Sequence, residues 1–414
     1  MRKRLLMLLA ILLSFSLLAA ACGDDDDTTA DDDMADDEGT DDEGTDDEGT
    51  DDEGTDDEGT DDEGTDDEGT DDEGTDEDAV FTGCLGDDST VESNGQTGLV
   101  FDVNGRGDQS FNDSAAAGLD RAVADFGLTF TEAVPNEDGS DRGPLLQLAA
   151  DGGSIVIAVG FLFAGEAGPA ACENLDTHFA VIDDAMLDFG AEGGPAPWAP
   201  NAAGLTFAEE QGSFLVGVAA GLTTETDNIG FIGGVQGWGL IEKFQAGFEA
   251  GVAAVNPDAT VTSVYIAEND VQGFFQPDRG REIATSMYEE GADIVYHAAG
   301  DSGGGLFVAA KEWSDDNDKV WAIGVDSDQA LTADADVQEF ILTSMLKRVD
   351  NAVYQAIEGH INGTFVNGNT IYDLAAGGVG YSTTGDHLSA ETIAAIEEWA
   401  AKIISGEVEV PTAP

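Results

Sequence analysis

The chain has 414 residues, 87 of them acidic against 14 Lys and Arg, and a formal charge of −73. Such a length exceeds a single hydrophobic core and predicts two compact units with tails. The charge argues against nucleic acid as a partner, because a phosphate backbone is held by Lys and Arg.

Residues 1–21 read as an export signal. Arg2, Lys3 and Arg4 precede an apolar run from Leu5 to Leu18, too short for an ordinary spanning helix, and small residues follow. Ala19-Ala20-Ala21-Cys22-Gly23 resembles a bacterial lipobox, with Ala19 where Leu is usual. That resemblance implies cleavage before Cys22, acylation of its thiol, and a protein lipid-anchored to the extracytoplasmic face of the cell membrane. Ordinary cleavage leaving a free Cys22 is the alternative.

Between Gly23 and Asp78 stand 34 acidic residues and no Lys or Arg, which leaves 53 acidic against 11 basic residues in 79–414. From Asp36 to Thr75 the pentad Asp-Asp-Glu-Gly-Thr repeats eight times. With no apolar side chain and strong self-repulsion, such a tract cannot bury enough surface to fold. Residues 22–96 are therefore expected to be a disordered acidic linker that spaces the folded part from the membrane. A calcium-binding array is the sharper alternative, but the repeat lacks the Asp-x-Asp-x-Asp-Gly spacing of a calcium loop. Cys84 and Cys172 form an even pair in an exported chain, so a disulfide is expected, with two buried thiols as the alternative. There is no CxxC or HExxH, and His178, His297, His360 and His387 are scattered, so neither a metal nor a cofactor is expected.

From residue 91 onward strands and helices alternate. Strand-like runs at 98–102, 128–133, 154–159 and 178–182, with helical stretches at 112–125, 143–151 and 164–174, predict a parallel sheet covered on both faces. A Gly- and Pro-rich break over 190–200 reads as a crossing between units. The second series is helix 208–222, strand 228–232, helix 238–254, strand 260–266, helix 277–290, strand 293–297, helix 304–314 and strand 319–325. A run at 341–346, a helix carrying Lys347 and Arg348, a further short strand and helix 389–405 complete it. The expected fold class is α/β, two doubly wound parallel-sheet domains around a ligand cleft. Residues 97–201, with about 340–365 returning, make the first, and 202–339 with part of 366–414 the second.

In such sheets ligands sit beyond the carboxyl ends of the strands. Asp102 ends the first strand, and Ser110-Phe111-Asn112-Asp113 follows a glycine-rich turn, which places these residues at a pocket. Their plainer readings are a loop cap for Asp102, core for Phe111, and a structural ion pair for Asp326 with Lys347. Arg106-Gly107-Asp108, a tripeptide known from cell adhesion, reads as chance. Gly300-Asp301-Ser302-Gly303-Gly304 matches GxSxG between a strand and a helix. With Asp326 or Asp328 and then His360 or His387, it leaves open a serine hydrolase built on Ser302, which geometry must decide. Neither a P-loop nor a full GxGxxG is present.

Several segments together carry a family resemblance. They include Asp102-Val103 with Gln109 to Asp113, Gly160-Phe161, His178 to Asp183, Gly212 to Gly217, Ile229 to Gly234, Lys243 to Phe248 and Ile323 to Gln329. In this order they resemble the basic membrane protein (BMP) lipoproteins, substrate-binding components of ABC importers whose best understood members are purine nucleoside receptors. The resemblance spans about 97–410 and implies a type I periplasmic-binding-protein fold, no catalysis, and an ABC permease as partner. It implies Phe111 stacked on one face of the base, with Tyr296 opposite and His297 as rival for that place. It further implies Asn112 and Asp183 on the purine edge, Asp102, Asp326 and Lys347 near the ribose and base, and Gly300 in a glycine-rich lip of the cleft. A nucleotide is disfavoured, because its phosphate would meet three carboxylates and only Lys347. A ligand-sensing lipoprotein for another small solute stays open.

Overall fold

The computed structural model describes residues 83–189 and 194–414. The export signal, Cys22 and the pentad repeats lie outside the described residues. The expected linker ends earlier than 96: Cys84 is joined to Cys172 by a disulfide (Cα–Cα 5.7 Å), and its N–H bonds the Trp198 carbonyl. Residues 83–95 thus belong to the folded part.

The first lobe is built from β1 (Gln96–Val100), α1 (Phe111–Phe126), β2 (Thr129–Ala133), α2 (Arg142–Gly152), β3 (Ile155–Ala158), α3 (Ala164–Glu173) and β4 (His178–Ile182). A two-residue ladder, β5 (Leu187–Asp188) with β6 (Ala196–Pro197), precedes β7 (Ala202–Phe207). The second lobe takes α4 (Glu209–Thr223), β8 (Asn228–Gln236), α5 (Leu240–Val255), β9 (Thr260–Glu268), α6 (Pro277–Glu289) and β10 (Ile294–Ala298). It continues with α7 (Gly304–Asp316), β11 (Trp321–Asp326), the single turn α8 (Gln329–Thr332) and β12 (Ile341–Lys347). The chain then returns to the first lobe for α9 (Val349–Ile361) and β13 (Gly368–Tyr372), and ends in the second with β14 (Val379–Tyr381) and α10 (Ala390–Ile404).

The first sheet runs β13-β7-β4-β3-β1-β2, all parallel; the second runs β14-β12-β11-β10-β8-β9, parallel except for β14. Side chains alternate across each sheet, as strand geometry requires. In the first, Val100, Val156 and Val181 pack toward α2 and α3, while Leu99, Ile157 and Ile182 enter the core under α1. In the second, Ile232, Val295 and Ala322 face α6 and α7, whereas Phe231, Tyr296 and Ile323 lie under α4 and α5.

Three expectations move. β7 belongs to the first sheet, so the crossing falls after Phe207 and not at 201. It escapes a β-propensity reading because Ala202-Ala203-Gly204 must be small: a Cβ on Gly204 would sit 2.3 Å from the Ala185 carbonyl carbon. β12 stays in the second sheet, so the return to the first lobe starts with α9 and not near 340. Lys347 is the last residue of β12, one position before a helix cap and not within the helix.

Candidate functional site

Both sheets present their carboxyl edges to one cleft of about 700 Å³, its mouth to solvent included. From the first lobe, β1 carries the chain to Asp102, whose N–H donates to Asn112 Oδ1 at 3.0 Å and whose carboxylate accepts the Val103 N–H at 2.8 Å. The loop then enters α1 through two reciprocal aspartates. Asp108 accepts the N–H groups of Ser110, Asn112 and Asp113 at 2.7–3.0 Å, and Asp113 accepts those of Gly107 and Gln109. These side chains satisfy donors that a helix start leaves orphaned, and so fix Phe111, the first residue of α1, at the cleft wall. Asn112 also lines the cleft, yet its amide already braces Asp102 and, at 3.4 Å, the Val103 carbonyl. Arg106 is held by Asp120 and Glu132, so the Arg-Gly-Asp tripeptide is part of the loop's architecture.

From the second lobe come the turn after β10, with Gly300 at φ 55°, and Phe274 and Phe275 from the turn after β9. Phe244 reaches in from α5. Phenylalanine rings therefore wall the cleft from both lobes. At its edge Phe161 meets Trp238 across the lobes, ring centroids 5.4 Å apart.

The polar floor is a chain of alternating charge. Lys347, 2 % exposed, places Nζ 2.7 Å from Asp183 Oδ2 and 3.2 Å from Glu209 Oε1. Lys243 takes the other Glu209 oxygen at 2.9 Å and donates to the Phe207 carbonyl. The rings of Phe111, Phe207 and Phe244 surround the Lys347 ammonium at 5.1–5.7 Å, an arrangement that favours a desolvated cation. Asp183 Oδ1 is buried and has no partner among the described residues. Asp183 and Asp326 both stand at strand ends with left-handed backbones, φ 68° and 63°. Such strain costs about 1–3 kcal/mol outside glycine and persists where the surroundings impose it, often at binding sites.

Burial pushes the carboxyls of Asp102, Asp183 and Asp326 up to about 6, although Lys347 opposes this at the latter two. For Lys347 burial works against the charge, but Asp183, Glu209 and Asp326 outweigh it and raise its pKa. At neutral pH the cleft thus holds ionised carboxylates near their titration and one cation already paired. That composition suits an uncharged, flat solute rich in donors and repels an anion. The lobes also bond each other directly: Ser110 Oγ donates to Asp326 Oδ2 at 2.6 Å, Ser327 Oγ to the Ser110 carbonyl, and Gln329 Nε2 and Thr332 Oγ1 to the Gln109 carbonyl.

Asp102, Phe111, Asn112, Asp183, Gly300, Asp326 and Lys347 all line this cleft; Tyr296 does not. Tyr296 is fully buried under α4 and α5, its ring against Phe248 and Phe231 and its hydroxyl 3.1 Å from Ser213 Oγ. His297 is no substitute, because it is buried and bonded to Gln329. The second-lobe rings at the cleft are Phe244, Phe274 and Phe275; Glu209 lies in none of the resembling segments, and Lys243, which opens one of them, carried no expected role. Ser302 is buried with its hydroxyl committed to the Gly273 carbonyl and the Gln276 N–H. His360 bonds Ser154 and His178, and His387 packs on Trp321. The GxSxG turn is therefore a structural joint and not a nucleophile elbow.

The family model described as ABC transporter substrate-binding protein PnrA-like (Bmp) matches residues 96–413. A Listeria monocytogenes protein called CD4+ T-cell-stimulating antigen is 36% identical over 337 residues, covering 76% of this chain and 88% of its own. The ABC transporter nucleoside-binding protein BmpA of Lactococcus lactis is 30% identical, covering 81% of this chain and 95% of its own. Among solved structures, an ABC transporter solute-binding protein from Aeropyrum pernix aligns with a TM-score of 0.65 at 26% identity, over 77% of this chain and 93% of that one. With the family match covering both lobes and the cleft, the chain belongs to the Bmp family of PnrA-like ABC transporter substrate-binding proteins.

Proposed function

We propose that this chain is a lipid-anchored, extracytoplasmic solute receptor that captures a purine nucleoside in its cleft and delivers it to an ABC permease. The observation that carries the reading is the make-up of the cleft, phenylalanine rings from both lobes around the carboxylates of Asp102, Asp108, Asp183, Asp301 and Asp326 and one paired ammonium. Phe111 and Phe274 offer π surfaces to a base, and stacking on an aromatic is worth about 1–3 kcal/mol per base. Asp183 beside Lys347 sets an acceptor next to a donor, which suits a purine edge or a sugar hydroxyl; Asp102, Asn112 and Asp326 supply further polar contacts. The Lactococcus relative, named as nucleoside-binding, supports the same class. Ligand bound between the lobes favours the closed form that a permease would meet.

One preparation tests both parts. Protein made in a bacterial host should stay with the membrane and be released into the medium by Cys22→Ala. Calorimetry with adenosine, guanosine, inosine, uridine, free bases, ribose and AMP should show micromolar binding of purine nucleosides, lost in Phe111→Ala. Folded, ligand-free protein that binds none of the panel would overturn the nucleoside assignment.

A further inference from the structure

The strongest observation left unused is the second lysine of the charge chain. Lys243 does not line the cleft, and neither does Glu209, which is 1 % exposed at the start of α4. Their contact with the cleft wall runs through Lys347, and their charges also bear on Asp183. Glu209 divides its oxygens between the two lysines, Lys347 at 3.2 Å and Lys243 at 2.9 Å. Lys243 also holds the Phe207 carbonyl at 3.2 Å, two residues before Glu209, at the crossing from β7 into α4. Resting on the reading of the cleft as the solute site, we propose that Lys243 is a positioning residue for ligand binding. By neutralising Glu209, it leaves the Lys347 ammonium free to lean on Asp183 and keeps the unpartnered Asp183 oxygen available as an acceptor.

The argument is one of competition. Two buried carboxylates, Asp183 and Glu209, face one ammonium, and a buried carboxylate without a counter-charge is costly. With Lys243 present each has a cation of its own. Without it, Glu209 draws on Lys347 alone, and Asp183 becomes the under-compensated partner. The other charged groups facing Asp183 are Asp102 after β1 and Asp326 at the end of β11, both acidic; Arg142 at the start of α2 bears on Asp102, and the cations that bear on Asp183 are Lys347 and Lys243. Lys243 holds the Asp183 carboxyl down and Glu209 holds it up, so the two substitutions have opposite signs.

The experiment is carried out on the full chain with Lys243→Met, Lys243→Arg and Glu209→Gln. In the ligand-free protein, carboxyl ¹³C resonances report the Asp183 titration. It should move upward in Lys243→Met, downward in Glu209→Gln, and return toward the wild-type position in Lys243→Arg. Nucleoside affinity of Lys243→Met at neutral pH should fall about tenfold, the middle of the range for coupled residues in one charge network. Its acid limb should begin at a higher pH, and Arg should restore both. An unchanged Asp183 titration in Lys243→Met, or equal affinity with an unchanged pH profile, would overturn the proposal. If wild-type protein binds no nucleoside, the nucleoside reading fails, and the ligand-free titration still decides the role of Lys243.

Discussion

Replacing Lys347 by Met removes the one cation shared by Asp183 and Glu209 while keeping most of the aliphatic stem. At an effective dielectric of 20, charges 2.7 and 3.2 Å apart attract by about 6 and 5 kcal/mol. Desolvation of the three groups offsets most of this in the wild type, but the variant keeps the carboxylates' share of that cost without the attraction. Breaking a buried pair by removing one partner costs about 3–5 kcal/mol, and that is the expected loss at pH 8. The sign with pH follows from Asp183, whose carboxyl already stands at about 6 and rises further when the ammonium is gone. Below that value the variant relieves itself by taking a proton, which the unfolded chain, titrating near 4, does not need. The deficit relative to wild type should therefore shrink between pH 8 and 5.5, by at most about 1.4 kcal/mol per pH unit. Urea unfolding followed by circular dichroism at both pH values measures it. Lys347→Met with Asp183→Asn should recover at least about 1 kcal/mol of the single-variant loss at pH 8, as coupled partners do. A loss below about 1 kcal/mol, a deficit equal at both pH values, or strictly additive variants would refute the reasoning.

Two further outcomes are expected. His297 is buried with Nδ1 unpartnered among the described residues, and burial lowers its pKa to about 4. It costs nothing above pH 6.5, and stability is lost as pH falls from 6.5 toward 4 because only the unfolded chain takes the proton. His297→Gln should flatten the acid limb of the stability profile by about 3 kcal/mol, and an unchanged acid limb would show that His297 is not held neutral. The disulfide closes a loop with a sequence separation of 88, and chain entropy alone sets its contribution at up to about 4.6 kcal/mol. Replacing Cys84 and Cys172 by Ser should lower the urea midpoint accordingly; a midpoint shift equivalent to less than about 1 kcal/mol would mean the ends of that loop are held by other contacts.

Much of this arrangement was legible from local pattern. Alternating strand and helix signals place Asp102, Asp183 and Asp326 at strand ends, and the carboxyl-edge rule then brings them together. Tyr296 misled because all five residues of β10 are buried. In a strand covered on both faces hydrophobicity no longer tells which side chains approach the ligand, and it is the residues at and beyond the carboxyl end, Ala298 to Gly300, that reach it. Phe274 left no comparable signal, since it lies in a short turn whose position depends on its packing against β8, β9 and the turn after β10. The roles of Glu209 and of Lys243, which opens a resembling segment, escape the sequence for a different reason: they are properties of a three-dimensional charge chain joining α4, α5, β12 and the end of β4. The small residues of β7 concealed a strand because close backbone approach there outweighs β-propensity.

The Cys84–Cys172 bond also defines a load path. Any tension arriving along the chain before residue 83 enters the fold at Cys84, and the disulfide passes it sideways into α3 of the first lobe. It is taken up before it reaches β1, the strand that leads to Asp102. The crossings after Phe207, Lys347 and Tyr372 lie further along the chain, so the second lobe hangs from the first without bearing that force. A body pulled at its N-terminal end is in this way gripped by one half, leaving the other half to move.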